Sequence, residues 1–215
     1  MTSLTERDVE LLRLIAGVRM VAIDSLRQAH QATEGALQAA GAYQRWCQRM
    51  EAIGLVSTRS ILAVAPTHSD ALCRYEHGLK PPDFVAVARS LRERSAASAP
   101  EQVPVVRLSH RGAAVLGERL QRESRRCELT HDLRLAHFVV HALASNAATA
   151  WVSEDQLMRE LAYQHVVPDG ELTLADGSVL IVECGGIYSP TKLRNFHERI
   201  APQLQSRGSE SYVII

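Results

Sequence analysis

Lysine is nearly missing from this chain: of 24 cationic side chains only Lys80 and Lys192 are lysines, and the rest are arginines. Net charge is missing too, because 24 acidic side chains balance them. No overall field therefore draws the protein to a polyanion, and any such binding has to come from a local patch. The four cysteines, Cys47, Cys73, Cys127 and Cys184, stand far apart with no CxxC pair. That spacing supports neither a disulfide framework nor a zinc knuckle, and it predicts reduced thiols. The sequence also lacks an apolar run long enough for a bilayer and an N-terminal basic segment followed by an apolar one. A soluble, cytoplasmic protein with no membrane partner is expected. With 46% hydrophobic residues in 215 positions, the chain can fill one large core or two small ones.

The most organised stretch is Gly41 to Val56, GAYQRWCQRMEAIGLV. Tyr43, Trp46, Cys47, Met50 and Ile53 recur at three- and four-residue steps and mark the buried side of a helix. Gln44, Arg45, Gln48 and Arg49 fall on the opposite side, and Gly54 suits a left-handed helix stop. A solvated face has this composition. So does a reader of DNA, since Arg bonds guanine bidentately and Gln bonds adenine.

Upstream, Ser3 and Thr5 precede Glu6 and Asp8 by three residues, a capping pattern for a helix that buries Val9, Leu11, Leu12, Ile15 and Ala16. Asp24 is placed to cap a second helix, with a polar link near Thr33 to Gly35. Downstream, strands near Leu55 to Ala65 and Val103 to Leu108 can pair as a wing, on which Arg59 can meet a phosphate. The order predicts a winged helix-turn-helix over residues 1–122. The segment near 66–102, with Pro81-Pro82 and a helix from Asp83 to about Arg94, reads as an insertion in the wing that serves dimerisation or a partner. Ser109 caps a helix expected to run from His110 to about Arg122.

The charged run from Gln121 to Glu128 reads as the domain boundary, and its Arg122, Arg125 and Arg126 suit either a solvated linker or an extended DNA footprint. Beyond it, Thr130 caps an apolar helix, and another short helix runs from Ser153 through Leu161. His137 and His141 share one face of the apolar helix at a metal-compatible spacing, but their apolar neighbours favour buried structural histidines. VVPDGELTLADGSVLIVECGG predicts two strands joined by a type I′ turn at Asp176-Gly177. A helix over Tyr188 to Leu204 and a buried strand, SYVII, complete an α/β layer over residues 123–215. Asp169 and Glu183 would then meet at the sheet rim, where two carboxylates can hold a divalent cation that activates water. Two residues past Glu183, where a cation would orient the nucleophile, stands Gly185, leaving Lys192 as the substitute.

LTERDVELLRLI (4–15), EAIGLV (51–56), RLSHRG (107–112), THDL (130–133), VPDGEL and VLIVECGG (within 167–186) together resemble the replication-relaxation family of plasmids and mobile elements. The resemblance implies an α+β chain, a winged helix followed by a domain similar to the PD-(D/E)XK nuclease fold. It further implies binding of double-stranded DNA in plasmid replication, relaxation, mobilisation or transcriptional control, with a replication or relaxase protein as partner and a homodimer as the assembly. Asp169 and Glu183 carry over as metal ligands, with Lys192 the only available catalytic lysine. Gly185 breaks that pattern and weighs toward an inactive nuclease-like domain that needs no cofactor. The alternatives are a Mg2+- or Mn2+-dependent DNA endonuclease or nickase using those three residues, and a protein-interaction scaffold, which the zero net charge suits.

Overall fold

The computed structural model describes residues 3–34, 41–67, 70–160 and 167–215. In chain order its elements are α1 (Glu6–Ala16), β1 (Val21–Ala22), α2 (Ile23–Glu34), α3 (Ala42–Ala52), β2 (Val56–Ala63), β3 (Cys73–Glu76), α4 (Phe84–Ala96), β4 (Glu101–Leu108), α5 (His110–Leu116), α6 (Leu129–Ala144), β5 (Ala148–Ser153), α7 (Glu154–Glu160), β6 (Gly170–Leu174), β7 (Val179–Glu183), α8 (Pro190–Ile200) and β8 (Ser209–Ile214). The fold is α+β. Two compact units form, one from residues 1–68 and 100–146, the other from 69–99 and 147–215. Among the described residues no helix is long and apolar enough to cross a membrane.

In the first unit, α1 begins with the expected capping box: the Asp8 backbone N–H donates to Thr5 Oγ1 at 3.2 Å, and the Thr5 N–H donates to Asp8 Oδ2 at 2.9 Å. Helix α2 starts one residue before Asp24, so Asp24 lies in the first turn instead of capping it and takes Arg27 Nε and Gln28 Nε2, each at 2.7 Å. The helix runs through Thr33 to Glu34, and the rest of the expected link, from Gly35, lies outside the described residues. Helix α3 ends as its sequence predicts: Gly54 has φ +75°, and the Leu55 N–H returns to the Met50 carbonyl at 2.9 Å.

The chain then enters an antiparallel sheet ordered β1-β4-β2, in which Val106 pairs with Val21 on one side and Thr58 on the other. Pro104 is tolerated in the central strand because β1 pairs only with Val105 and Val106, leaving that side open at 104. Ser109 caps α5 through the Gly112 N–H (2.9 Å) and donates its own hydroxyl to the Gly54 carbonyl (2.7 Å), joining the end of α3 to the start of α5. Helix α5 stops at Leu116, short of the expected Arg122, because Gly117 turns left-handed at φ 71°.

Two expected boundaries are corrected. Helix α6, assigned from sequence to the second domain of 123–215, belongs to the first unit. Its Leu133 is buried with Met20, Ala22, Ile61, Val103 and Val105, and its buried Asp132 accepts Arg19 NH1 at 3.2 Å. Thr130, the expected cap, lies inside α6 and instead accepts the Val64 N–H at 3.2 Å. The 66–102 segment, read as an elaboration of the wing, contributes β3 and α4 to the core of the second unit.

The second unit is a five-stranded sheet ordered β3-β8-β7-β6-β5. Strands β5, β6 and β7 form an antiparallel meander, α8 crosses over, and β8 returns parallel to β7, with β3 antiparallel on its far side. Helices α4 and α8 share a core with the sheet in which Phe84, Leu91, Leu193, Phe196 and Ile200 pack with Ile181, Tyr212 and Ile214. The SYVII strand is buried as expected. The β6–β7 turn is not type I′, which needs two consecutive residues at positive φ: Gly177 has one (φ +85°) and Asp176 does not. The Gly177 N–H closes the turn on the Leu174 carbonyl at 2.9 Å, and Asp176 accepts the Ser178 N–H at 2.9 Å and hydroxyl at 2.7 Å in an Asx turn.

Candidate nucleic-acid interface and carboxylate cluster

On α3, Tyr43, Trp46, Cys47 and Met50 are buried, Ile53 is half-buried, and Gln44, Arg45, Gln48 and Arg49 are exposed. The buried side is anchored by Asp8 of α1, only 1% exposed. Its Oδ1 accepts Trp46 Nε1 at 2.9 Å, and Arg49 grips both oxygens, NH1 to Oδ2 at 3.2 Å and NH2 to Oδ1 at 2.5 Å. Burial alone would raise the Asp8 pKa, but Arg49, both Thr5 bonds and Trp46 outweigh it and hold the carboxyl at about 2. The far end of the helix is fixed to β2: Glu51 accepts the Thr58 N–H at 2.7 Å and its hydroxyl at 2.6 Å, which lowers the Glu51 pKa. Arg59 is exposed on β2, as expected.

Two participants escaped the sequence reading. Asp8 is recognisable as a capping residue, but its bonds to Trp46 and Arg49 span about forty positions and leave no local signal. Arg111 at the start of α5 lies against Gly54, its NH1 3.7 Å from where a Cβ would stand. The recess between α1 and α3, about 200 Å3, has Asp8 and Trp46 in its lining, and Arg7 at its side donates to the Tyr43 hydroxyl at 3.3 Å.

In the second unit, Asp169 precedes β6 and Glu183 ends β7. The Cys184 N–H donates to Asp169 Oδ2 at 2.6 Å. Tyr188, which the sequence did not single out, donates its hydroxyl to Glu183 Oε1 at 3.0 Å. Burial and then the charges of Glu183 and Asp169 push the phenol pKa upward. Lys192 lies over the same ring, its Nζ 3.4 Å from the centroid. Glu183 and Lys192 thus both contact Tyr188, while Asp169 bonds the backbone next to Glu183.

Gly185 cannot host a lysine in this packing. A Cβ there would stand 2.6 and 2.8 Å from the Leu91 methyls and 3.2 Å from Ile214 Cγ2. Leu91 of α4 thus stands where any side chain at 185 would have to start. Among the described residues no group of three or more His, Cys, Asp or Glu side chains is placed to share a metal ion.

His137 is buried and its Nδ1 bonds Ser25 Oγ at 2.9 Å, tying α6 to α2. The His141 ring stands 4.4 Å from it, with a buried Nε2 that has no hydrogen-bond partner among the described residues and a pKa lowered by burial. All four cysteines are free thiols. Burial, then Glu51, pushes the Cys47 thiol up to about 12, so it acts as a small apolar side chain.

No protein family, curated protein or solved structure matches the chain.

Proposed function

We propose that the first unit is a winged helix that binds double-stranded DNA, with α3 in the major groove and Arg59 against the backbone. The observation that carries this reading is the division of α3: its apolar side is buried while Gln44, Arg45 and Gln48 project from a helix whose middle and last turn are held by Asp8 and Thr58. Rigid presentation lets long polar side chains discriminate between bases. The motif-level resemblance to the replication-relaxation family supports the same class, a DNA-binding protein of a mobile element. Selection from a random duplex pool, then binding of the selected and a scrambled duplex at several salt concentrations, tests it. A steep salt dependence with preference for the selected duplex is expected, and Arg45→Ala should cost about 1–3 kcal/mol of that preference. Binding that ignores both salt and sequence would favour the protein-interaction scaffold.

A second reading has its own observation, the meeting of Glu183 and Lys192 on Tyr188 with Asp169 bonded to the neighbouring Cys184 N–H. On this reading the second unit is a nuclease-like fold, the two carboxylates hold Mg2+ or Mn2+, and the Lys192 ammonium steadies the phosphate. Nicking of supercoiled DNA that needs the ion and is lost in Asp169→Asn is its test; intact DNA with either ion would leave the unit as an assembly module.

A further inference from the structure

Arg45 and Arg49 lie one turn apart on the same exposed face of α3, and the surface pattern treats them alike. Their surroundings do not. Arg49 is on the last turn, where its guanidinium bonds both oxygens of an anion that is itself buried, and the same carboxylate holds the indole N–H of Trp46. Removing Arg49 from Asp8 would leave a buried carboxylate short of its main counter-charge. Arg45 is on the first turn and has no ion pair among the described residues; its NH1 reaches back over Gly41, 3.5 Å from where a Cβ would stand. The N-terminal part of a recognition helix is the part that meets base edges.

We propose that Arg49 does not contact DNA but acts with Asp8 as a strut that sets the angle of α3, so that sequence is read by Gln44, Arg45 and Gln48 alone. The inference rests on the winged-helix reading of the first unit and narrows it. It also assigns a role to Asp8, whose carboxylate is taken up by Thr5, Trp46 and Arg49.

The test uses the full chain with Arg49→Ala, Asp8→Asn, the double variant and Arg45→Ala, each first shown to be folded by thermal melting. The selected and scrambled duplexes are the probes, titrated over roughly 50–200 mM salt, where each phosphate contact contributes about 0.9 to the slope of log affinity on log salt. Arg45→Ala should lower the preference for the selected duplex by about 5- to 150-fold. Arg49→Ala and Asp8→Asn should each lower that preference, the double variant should be no worse than the poorer single, and all three should keep the wild-type salt slope. A slope flattened by about 0.9 in Arg49→Ala alone would make Arg49 a phosphate contact and overturn the proposal. A lower melting temperature with undiminished preference would reduce the pair to a structural one and overturn it equally. If the wild-type protein itself shows neither salt dependence nor preference, the DNA-binding reading fails and the strut falls with it.

Discussion

The exposed side of α3 and the carboxylate cluster of the second unit use similar residues in opposite ways. On α3 Gln44, Arg45 and Gln48 are exposed, and the buried Asp8 of α1 serves to hold the helix. In the second unit the charged groups are turned toward their own neighbours: Asp169 takes a backbone N–H, Glu183 takes the Tyr188 hydroxyl, and Lys192 lies on the Tyr188 ring. A face left open by its fold is equipped to recognise something large. A cluster bonded to itself has to give up internal contacts before it can bind a metal or a phosphate, and that cost separates the two proposals for this protein.

The most severe way to probe the contrast is Gly185→Lys, which restores a cation two residues after Glu183. It should cost about 3 kcal/mol or more in urea unfolding, because the side chain enters space held by Leu91 and Ile214, and Leu91→Ala should recover part of the loss. A tolerated lysine would show that α4 does not seal the cluster.

Asp8→Ala should cost about 2 kcal/mol, less than a fully buried pair because Arg49 is partly solvated. The effect depends on pH. The folded pKa of about 2 lies below the ordinary 3.8, so the carboxylate stabilises the fold above pH 4 and the contribution is lost as pH falls from 4 toward 2. Acid titration of unfolding stability should be flatter over that interval in Asp8→Asn than in the wild type.

Tyr188→Phe removes one hydrogen bond to Glu183 and should cost about 1 kcal/mol. If it also strengthens Mn2+ binding, measured by calorimetry, the cluster is a masked metal site; unchanged affinity would make the phenol structural. The smallest effect belongs to Gln44→Ala and Gln48→Ala, which should stay within about 0.5 kcal/mol of wild-type stability because both side chains are exposed. A larger loss would mean that the face is held by contacts of its own and is less open than the comparison requires.

What the sequence by itself determined was local. The Thr5–Asp8 capping box, the two sides of α3, the left-handed stop at Gly54, the β6–β7 hairpin and the buried β8 all follow from contacts a few residues apart or from side-chain periodicity. Membership of the units was not legible in the same way. Helix α6 is apolar enough to complete either core, and the charged run before it looks like a linker until Arg19 binds Asp132 and Arg122 binds Glu128. The 66–102 segment follows a strand of one sheet, yet its Tyr75, Phe84 and Leu91 fill the core of the other. Asp8 with Arg49, Tyr188 with Glu183, and Leu91 against Gly185 were likewise settled only by tertiary structure. Hydrophobic burial is non-directional: it fixes which side of an element is covered, while the partner that covers it depends on the packing of all the others.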